Sequence, residues 1–430
     1  MAIHTPIHYR NQLMYSVFVR NFSPEGTFAA LRRELPRIRE LGVDIIWLMP
    51  IHPIGKQARK GTVGSPYAIS DYRKIDPSLG TVEDLKSLVS DIHALDMKCI
   101  IDVVYNHTSP DSWLAQHHPE WFYRKPDGSF GNRVGDWTDI IDLDYSNRAL
   151  WDYQIETLKY WAGIVDGFRC DVAPLVPLEF WLEARRQVEQ VRPGCIWLAE
   201  SVEPEFIAHL RARGVTAHSD GELYQAFDIC YDYDIFNTYR DVLTGKQPLE
   251  VYARAVMAQE TMYPANYVKL RFLENHDRPR AAQAIRDPKA MENWLAFTYF
   301  QRGMPMLFAG QEVGADHLPQ LFEKDPVDWN GPADHTPLLK KLRKIKADPL
   351  MADSTYTLKA LPRDVLLAVH EKEGRKLVGI FSTRGEASYL EVDLPDGTYQ
   401  NLLGGTAQVH EGKVATDGAP MILKQGETEI

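Results

Sequence analysis

Apolar positions along the first 310 or so residues follow two alternating rhythms. Short, nearly unbroken apolar runs predict eight strands: MYSVFV (14–19), DIIWLM (44–49), KCIIDVV (98–104), VDGFRCD (165–171), CIWLAE (195–200), YQAFD (224–228), VKLRFLEN (268–275) and MPMLFAG (304–310). Runs of this kind belong to strands covered on both faces. Between them the apolar spacing changes to three and four. In TFAALRRELPRIREL (27–41), Phe28, Leu31, Leu35, Ile38 and Leu41 mark a helix with one buried face. Pro36 predicts a kink or break in it. TVEDLKSLVSDIHAL (81–95) reads as a second helix with Thr81 as its N-cap. Further helices are expected near 147–162 and 178–192. Strand–helix alternation means a parallel sheet. Eight units suit a closed (β/α)8 TIM barrel better than an open doubly wound sheet. No strand leads into a GxGxxG or GxxxxGK[ST] turn, the mark of the open alternative.

Two stretches break the rhythm. The connection after the third strand, 107–145, is too long for a plain loop and carries the turn signal PDG. It reads as a small inserted domain over the barrel mouth. Trp113, Trp121, Phe122 and Trp137 are expected to form that insert's own core, with sugar stacking as the other role open to them. From about residue 352 short β-like runs (LLAVHE, KLVGIFS, YLEVDL) alternate with the turn signals EGR, RGE, PDG and LGG. The expected organisation is a catalytic barrel over 1–107 and 146–351, an insert over 108–145, and an antiparallel, β-sandwich-like module over 352–430.

Composition narrows the chemistry. Hydrophobic residues at 44% and charged residues at 25% are ordinary for a folded globular chain. The net charge of −11 argues against nucleic acid or an anionic membrane as partner. No apolar run approaches the roughly 20 residues that span a bilayer. The N-terminal MAIHTPIHYRNQ carries no secretory signal, so a cytoplasmic protein is expected. Cys99, Cys170, Cys195 and Cys230 are far apart and without CxxC spacing, which reads as buried free thiols. Nothing sets an oligomeric state.

Active sites of such barrels lie at the C-terminal ends of the strands. Here those ends carry Asp102, Asn106 and His107 after strand three, Arg169 and Asp171 in strand four, Glu200 after strand five, and Glu274, His276 and Asp277 after strand seven. No nucleophile elbow, HExxH motif or phosphate loop accompanies them. A carboxylate-rich mouth suits acid–base work on a neutral substrate, and glycoside hydrolysis needs one ionised and one protonated carboxyl. Taken singly, each has a plainer reading: a strand-end Asp can cap the next helix, and Arg169 can simply pair with Asp171.

As a set, DVVYNH (102–107), GFRCDVA (167–173), AE (199–200) and FLENHD (272–277) resemble, in order and spacing, the four signature regions of glycoside hydrolase family 13, the α-amylase family. LGVDIIWLMP (41–50), GSPYAISDY (64–72) and GMPMLFAGQE (303–312) resemble supporting segments of that family, so the likeness runs from about 14 to 350. The resemblance implies a retaining double displacement on α-1,4-linked maltooligosaccharides or longer α-glucans. It implies Asp171 as nucleophile, Glu200 as general acid/base and Asp277 as the carboxylate that grips sugar hydroxyls. It implies Tyr67, His107, Arg169 and His276 as substrate-binding residues.

The sequence also departs from the pattern. Many members follow the nucleophile with a Lys-His pair that lines the leaving-group side and helps bind calcium; here the stretch is Asp171-Val-Ala-Pro174-Leu175. The chemistry requires no cofactor. Calcium stays open, with Asn106 and Asp142 the two matching ligands. A glucanotransferase, an α-glucosidase or a glucosyl isomerase of the same family, and an inactive carbohydrate-binding barrel, are the alternative functions.

Overall fold

Strands form where the apolar runs lie. In the computed structural model, which describes residues 4–135 and 137–426, they are β1 (Met14–Val17), β2 (Ile45–Leu48), β3 (Lys98–Val103), β4 (Gly167–Cys170), β5 (Ile196–Ala199), β6 (Ile229–Tyr231), β7 (Lys269–Arg271) and β8 (Met304–Phe308). All eight run parallel and pair in chain order, and β8 closes on β1 through the register Tyr15–Leu307. The expected barrel is therefore the observed one. The outermost residues of the expected domain ranges, 1–3 and 427–430, and Asp136 of the insert lie outside the described residues.

Helices pack their apolar stripes onto this barrel. They include α1 (Phe28–Glu40), α2 (Val82–Ala94), α3 (Arg148–Ala162) and α4 (Leu178–Val188). Thr81 caps α2 in a reciprocal box with Asp84, as its position predicts. Two local expectations fail. First, α1 runs unbroken through Pro36. Pro36 and Arg32 are both exposed, so the Arg32 carbonyl that loses its partner faces water, while Leu31, Leu35 and Ile38 keep the stripe buried. Second, YQAFD is not the sixth strand. Ser219 and Glu222 form a capping box that starts a helical turn at Asp220–Leu223, and Phe227 N–H still donates back to Leu223 at 2.9 Å. The strand therefore begins only at Ile229.

The insert stands on a two-stranded ribbon in which His107–Thr108 pairs antiparallel with Ile141–Asp142. Trp121 and Phe122 are buried and Trp113 stacks on His117 at 4.3 Å, but in place of a core of the insert's own they extend the barrel's core, with Trp113 and Trp121 packed on Tyr153 of α3 at 5.8 and 5.9 Å. Trp137 does not; it faces the barrel mouth. The C-terminal module holds two four-stranded antiparallel sheets around a separate core of Val365, Ile380, Leu390, Val409, Val414 and Leu423. It is anchored to the barrel by two further helices, α5 (Leu249–Met262) and α6 (Pro288–Phe300), with Phe297 and Phe300 each 5.5 Å from the ring of Phe381.

Candidate active site

The chain leaves each barrel strand toward one rim, and a cavity of about 520 Å³ opens there. Its lining includes Tyr67, His107, Asp171, Glu200 and Asp277, delivered by the connections after β2, β3, β4, β5 and β7. A larger groove, about 750 Å³, lies at the opposite end of the barrel between the N-terminal segment and α4. Of its carboxylates, Asp228 is spent on Arg185 and the Trp197 amide, Glu183 on Arg186 and Glu189 on the Gly194 amide. The converging chemistry is at the rim.

Arg169 is the centre of that site. Its guanidinium is fully buried in β4 and donates to Asp102 Oδ1 at 2.9 Å, to Asp102 Oδ2 at 3.0 Å and to Asp171 Oδ1 at 2.9 Å. Its Nη2 lies 3.0 Å from Glu200 Oε1. One cation thus touches three carboxyl groups. Asp102, within β3, is an orienting partner of Arg169 rather than a group facing the cavity. The Tyr67 hydroxyl bridges Asp102 (3.2 Å) and His276 Nε2 (2.7 Å), and its ring stacks on the imidazole at 5.5 Å. His276 Nε2 is also 3.1 Å from Asp277, which stands at the open mouth. His107 reaches within 3.9 Å of Asp171. Of the seven catalytic and sugar-binding residues singled out in the sequence, five line the cavity, while His276 and the fully buried Arg169, expected to bind substrate, stand behind them as partners.

Val172, next to the nucleophile candidate, is held in the left-handed region (φ 36, ψ 46). That conformation is strained for a β-branched residue. It aims the Val172 N–H at Glu200 Oε2, 2.7 Å away, and so ties the end of β4 to the carboxyl that follows β5.

The electrostatics separate the carboxyls. Burial pushes Glu200 up to about 8; Arg169 opposes this and the charges of Asp171 and Asp277 add to it. Burial also raises Asp171, but Arg169 holds it to about 6. Near neutrality one carboxyl therefore carries a proton while the other is ionised, the pairing that acid and nucleophile roles require. For Asp277 burial works upward, but His276 outweighs it and keeps the group below the ordinary aspartate range. Burial pushes His107 down to about 4, so its imidazole is neutral.

Several lining residues were not assigned to the site from the sequence, and Trp137 takes the second of the two roles open to it, facing the mouth. Trp137 sits 5.8 Å from the ring of His107, and Val172, Val202, Phe206 and Tyr233 form an apolar wall beside Glu200. Lys60, Asp139, Leu321 and Phe322 close in from another side. Val172, Val202 and Tyr233 closely follow the ends of β4, β5 and β6 but carry no acid–base chemistry to mark them, and the others lie on connections that the barrel rule does not reach.

Asn106 and Asp142 do lie together, at the foot of the insert. Asn106 Nδ2 is 3.4 Å from Asp142 Oδ1, and the Arg133 N–H donates to Asp142 Oδ2 at 2.7 Å. The Arg133 guanidinium sits 3.5 Å from the same oxygen and donates to the Leu143 carbonyl at 3.2 Å. A cation already occupies this face of the carboxylate. No cluster of three or more His, Cys, Asp or Glu able to hold a metal occurs among the described residues. Calcium takes six to eight oxygens, and here Asn106 and Asp142 stand beside the Arg133 guanidinium.

Comparison with known proteins agrees with this geometry. The profile of the alpha amylase catalytic domain matches residues 18–353, and that of the bacterial alpha amylase C-terminal domain matches 357–423. The crystal structure of an alpha-amylase from Lactobacillus plantarum is 47% identical with a TM-score of 0.96, covering 98% of this chain and 100% of that one. A noncanonic maltogenic alpha-amylase from Thermotoga neapolitana is 32% identical with a TM-score of 0.86, covering 97% of this chain and 99% of that one. In sequence, alpha-amylase 2 of Dictyoglomus thermophilum is 22% identical over 97% of this chain and 77% of its own length. An alpha-1,4-glucan:maltose-1-phosphate maltosyltransferase of Rhodospirillum rubrum is 27% identical over 79% of this chain, which spans 51% of that longer protein. A closed eight-stranded barrel, a carboxyl-lined mouth and two matched domains in the right order leave one conclusion: this chain belongs to the α-amylase family of glycoside hydrolases.

Proposed function

We propose that the protein hydrolyses α-1,4-glucosidic bonds of maltooligosaccharides and related α-glucans with retention at the anomeric carbon. Glu200 gives its proton to the glycosidic oxygen while Asp171 attacks the anomeric carbon, so that the bond to the leaving sugar breaks and a glycosyl ester forms. Glu200, now ionised, takes a proton from water. The water oxygen attacks the same carbon and displaces Asp171 as carboxylate. Arg169 keeps Asp171 ionised and holds Asp102 in place. Tyr67, His107 and Asp277 hold the sugar, backed by His276. The observation that carries this reading is the single guanidinium that contacts both Asp171 and Glu200 and, by hydrogen bonding Asp171, helps hold its proton affinity below that of Glu200.

The Arg133 contacts to Asp142 support a reaction independent of calcium. Four buried free thiols suit a reducing cytoplasm. No helix among the described residues is long and apolar enough to cross a membrane.

Transfer to a second sugar in place of water is the other reading, favoured by the apolar wall of Val172, Val202 and Phe206 on the leaving-group side. Incubation with maltoheptaose, with products resolved by chain length, separates the two. Only shorter products are expected; products longer than the substrate would put transfer first.

A further inference from the structure

The cavity has two unlike sides. Glu200 hands its proton to the departing oxygen, so the wall of Val172, Val202, Phe206 and Tyr233 around it is the leaving-group side. The loops after β2 and β8, which flank β1 across the ring from β5, bring Lys60, Leu321 and Phe322 to the other side, where Asp139 of the insert joins them on the glycone side. These four residues come from three connections: the loop after β2, the insert after β3 and the loop after β8.

The three connections are stitched together. The amides of Val63 and Gly64 both donate to the Phe322 carbonyl at 3.1 Å. The Thr62 amide donates to Glu323 Oε1 at 2.9 Å, and its hydroxyl bonds the other oxygen of that carboxylate. Arg20 reaches up from the end of β1 to the Gly64 carbonyl at 3.1 Å and also to that of Leu321. Gly61 adopts φ +64 so close to Phe322 that an added Cβ would lie 2.7 Å from its backbone oxygen, which leaves room only for glycine. From this fixed loop Lys60 extends to the insert, where its Nζ is 2.9 Å from Oδ1 of the buried Asp139. The β8 loop, the β2 loop and the insert thereby form one continuous wall.

A chain cut at an internal bond must run out of both sides of the site. We propose that the Lys60–Asp139 ion pair shuts the glycone side, so that the enzyme attacks α-glucans from the non-reducing end and releases short products of defined length. This specificity rests on the hydrolase reading above.

The test uses p-nitrophenyl maltoheptaoside and the same compound capped by an ethylidene group at its non-reducing end, with the intact protein. The wild type is expected to cleave the uncapped substrate about tenfold faster or more, in the range that one shaped pocket can discriminate. Lys60→Ala and Asp139→Ala should each bring the two rates close together and broaden the product lengths. Lys60→Arg, which keeps the charge, should retain the wild-type ratio. Equal rates on both substrates in the wild type overturn the closed glycone side and leave the hydrolase reading standing. A preference that persists in both alanine variants overturns the assignment to this ion pair. Failure of folded wild type to cleave either substrate removes the hydrolase reading and this inference with it.

Discussion

Glu200 and Asp171 differ by environment, not by chemistry. Both are buried and both face neighbouring carboxylates, but Asp171 takes a 2.9 Å hydrogen bond from Arg169 that Glu200 lacks. The proposed reaction needs Asp171 ionised and Glu200 protonated, so kcat/KM is expected to trace a bell over pH. It should fall as pH drops through about 6, where Asp171 protonates, and again as pH rises through about 8, where Glu200 ionises. A single sigmoid across that range counts against the assignment. Asp171→Asn should lower kcat by about 10⁴-fold or more while the protein still binds maltooligosaccharide in calorimetry, and Glu200→Gln by about 10²–10⁴-fold. The same burial sets a stability trade. The folded proton affinity of Glu200 is raised, so folding takes up a proton above its ordinary range, and the group weighs against the native state as pH climbs toward 8 and beyond. Glu200→Gln is therefore expected to raise Tm at pH 9 and leave it nearly unchanged at pH 4. An equal shift at both values would mean that the ionisation of Glu200 does not oppose folding.

At the scale of elements, local chemistry and tertiary demand can be told apart. The Thr81 cap of α2 is local: both partners lie within one turn, and Thr81→Ala should cost about 0.5–2 kcal/mol in a denaturation midpoint without changing activity. Pro36 shows the opposite case. Its local preference to end α1 is overridden because the stripe of Leu31, Leu35 and Ile38 is worth more when packed than one solvent-facing hydrogen bond is when made. The displaced sixth strand has the same origin. The apolar run YQAFD reads alike as buried strand or buried turn, and only the Ser219–Glu222 box resolved it.

At the scale of the molecule, the barrel and the C-terminal module share an apolar seam. Phe297, Phe300 and Phe381 meet there, and the His370 imidazole lies 2.9 Å from the Phe300 carbonyl. Truncation after residue 353 should expose that seam and send the barrel into aggregates, as judged by soluble yield and light scattering. Within the insert, Arg133 ties its own segment to the returning strand through Asp142 and Leu143. Tm and activity in excess chelator are expected to match those in calcium. Arg133→Ala should lower Tm whether or not calcium is present, and rescue by calcium would show that the ion can take the guanidinium's place.

Periodicity and strand-end chemistry in the sequence determined the barrel, its appended β module and the carboxyl, histidine and arginine residues of the mouth. This was possible because a parallel barrel binds each strand end to one rim, so that order along the chain becomes position in space. Lys60, Asp139, Leu321 and Phe322 were decided by tertiary structure alone, and so was the choice between the two roles open to Trp137. These residues lie on irregular connections whose paths are set by contacts between distant residues, such as Thr62 with Glu323, and no periodic pattern records such contacts. The protonation of Glu200 belongs to the same class: a glutamate in sequence is an ordinary acid, and only the burial and charges assembled around it make it one that keeps its proton near neutrality.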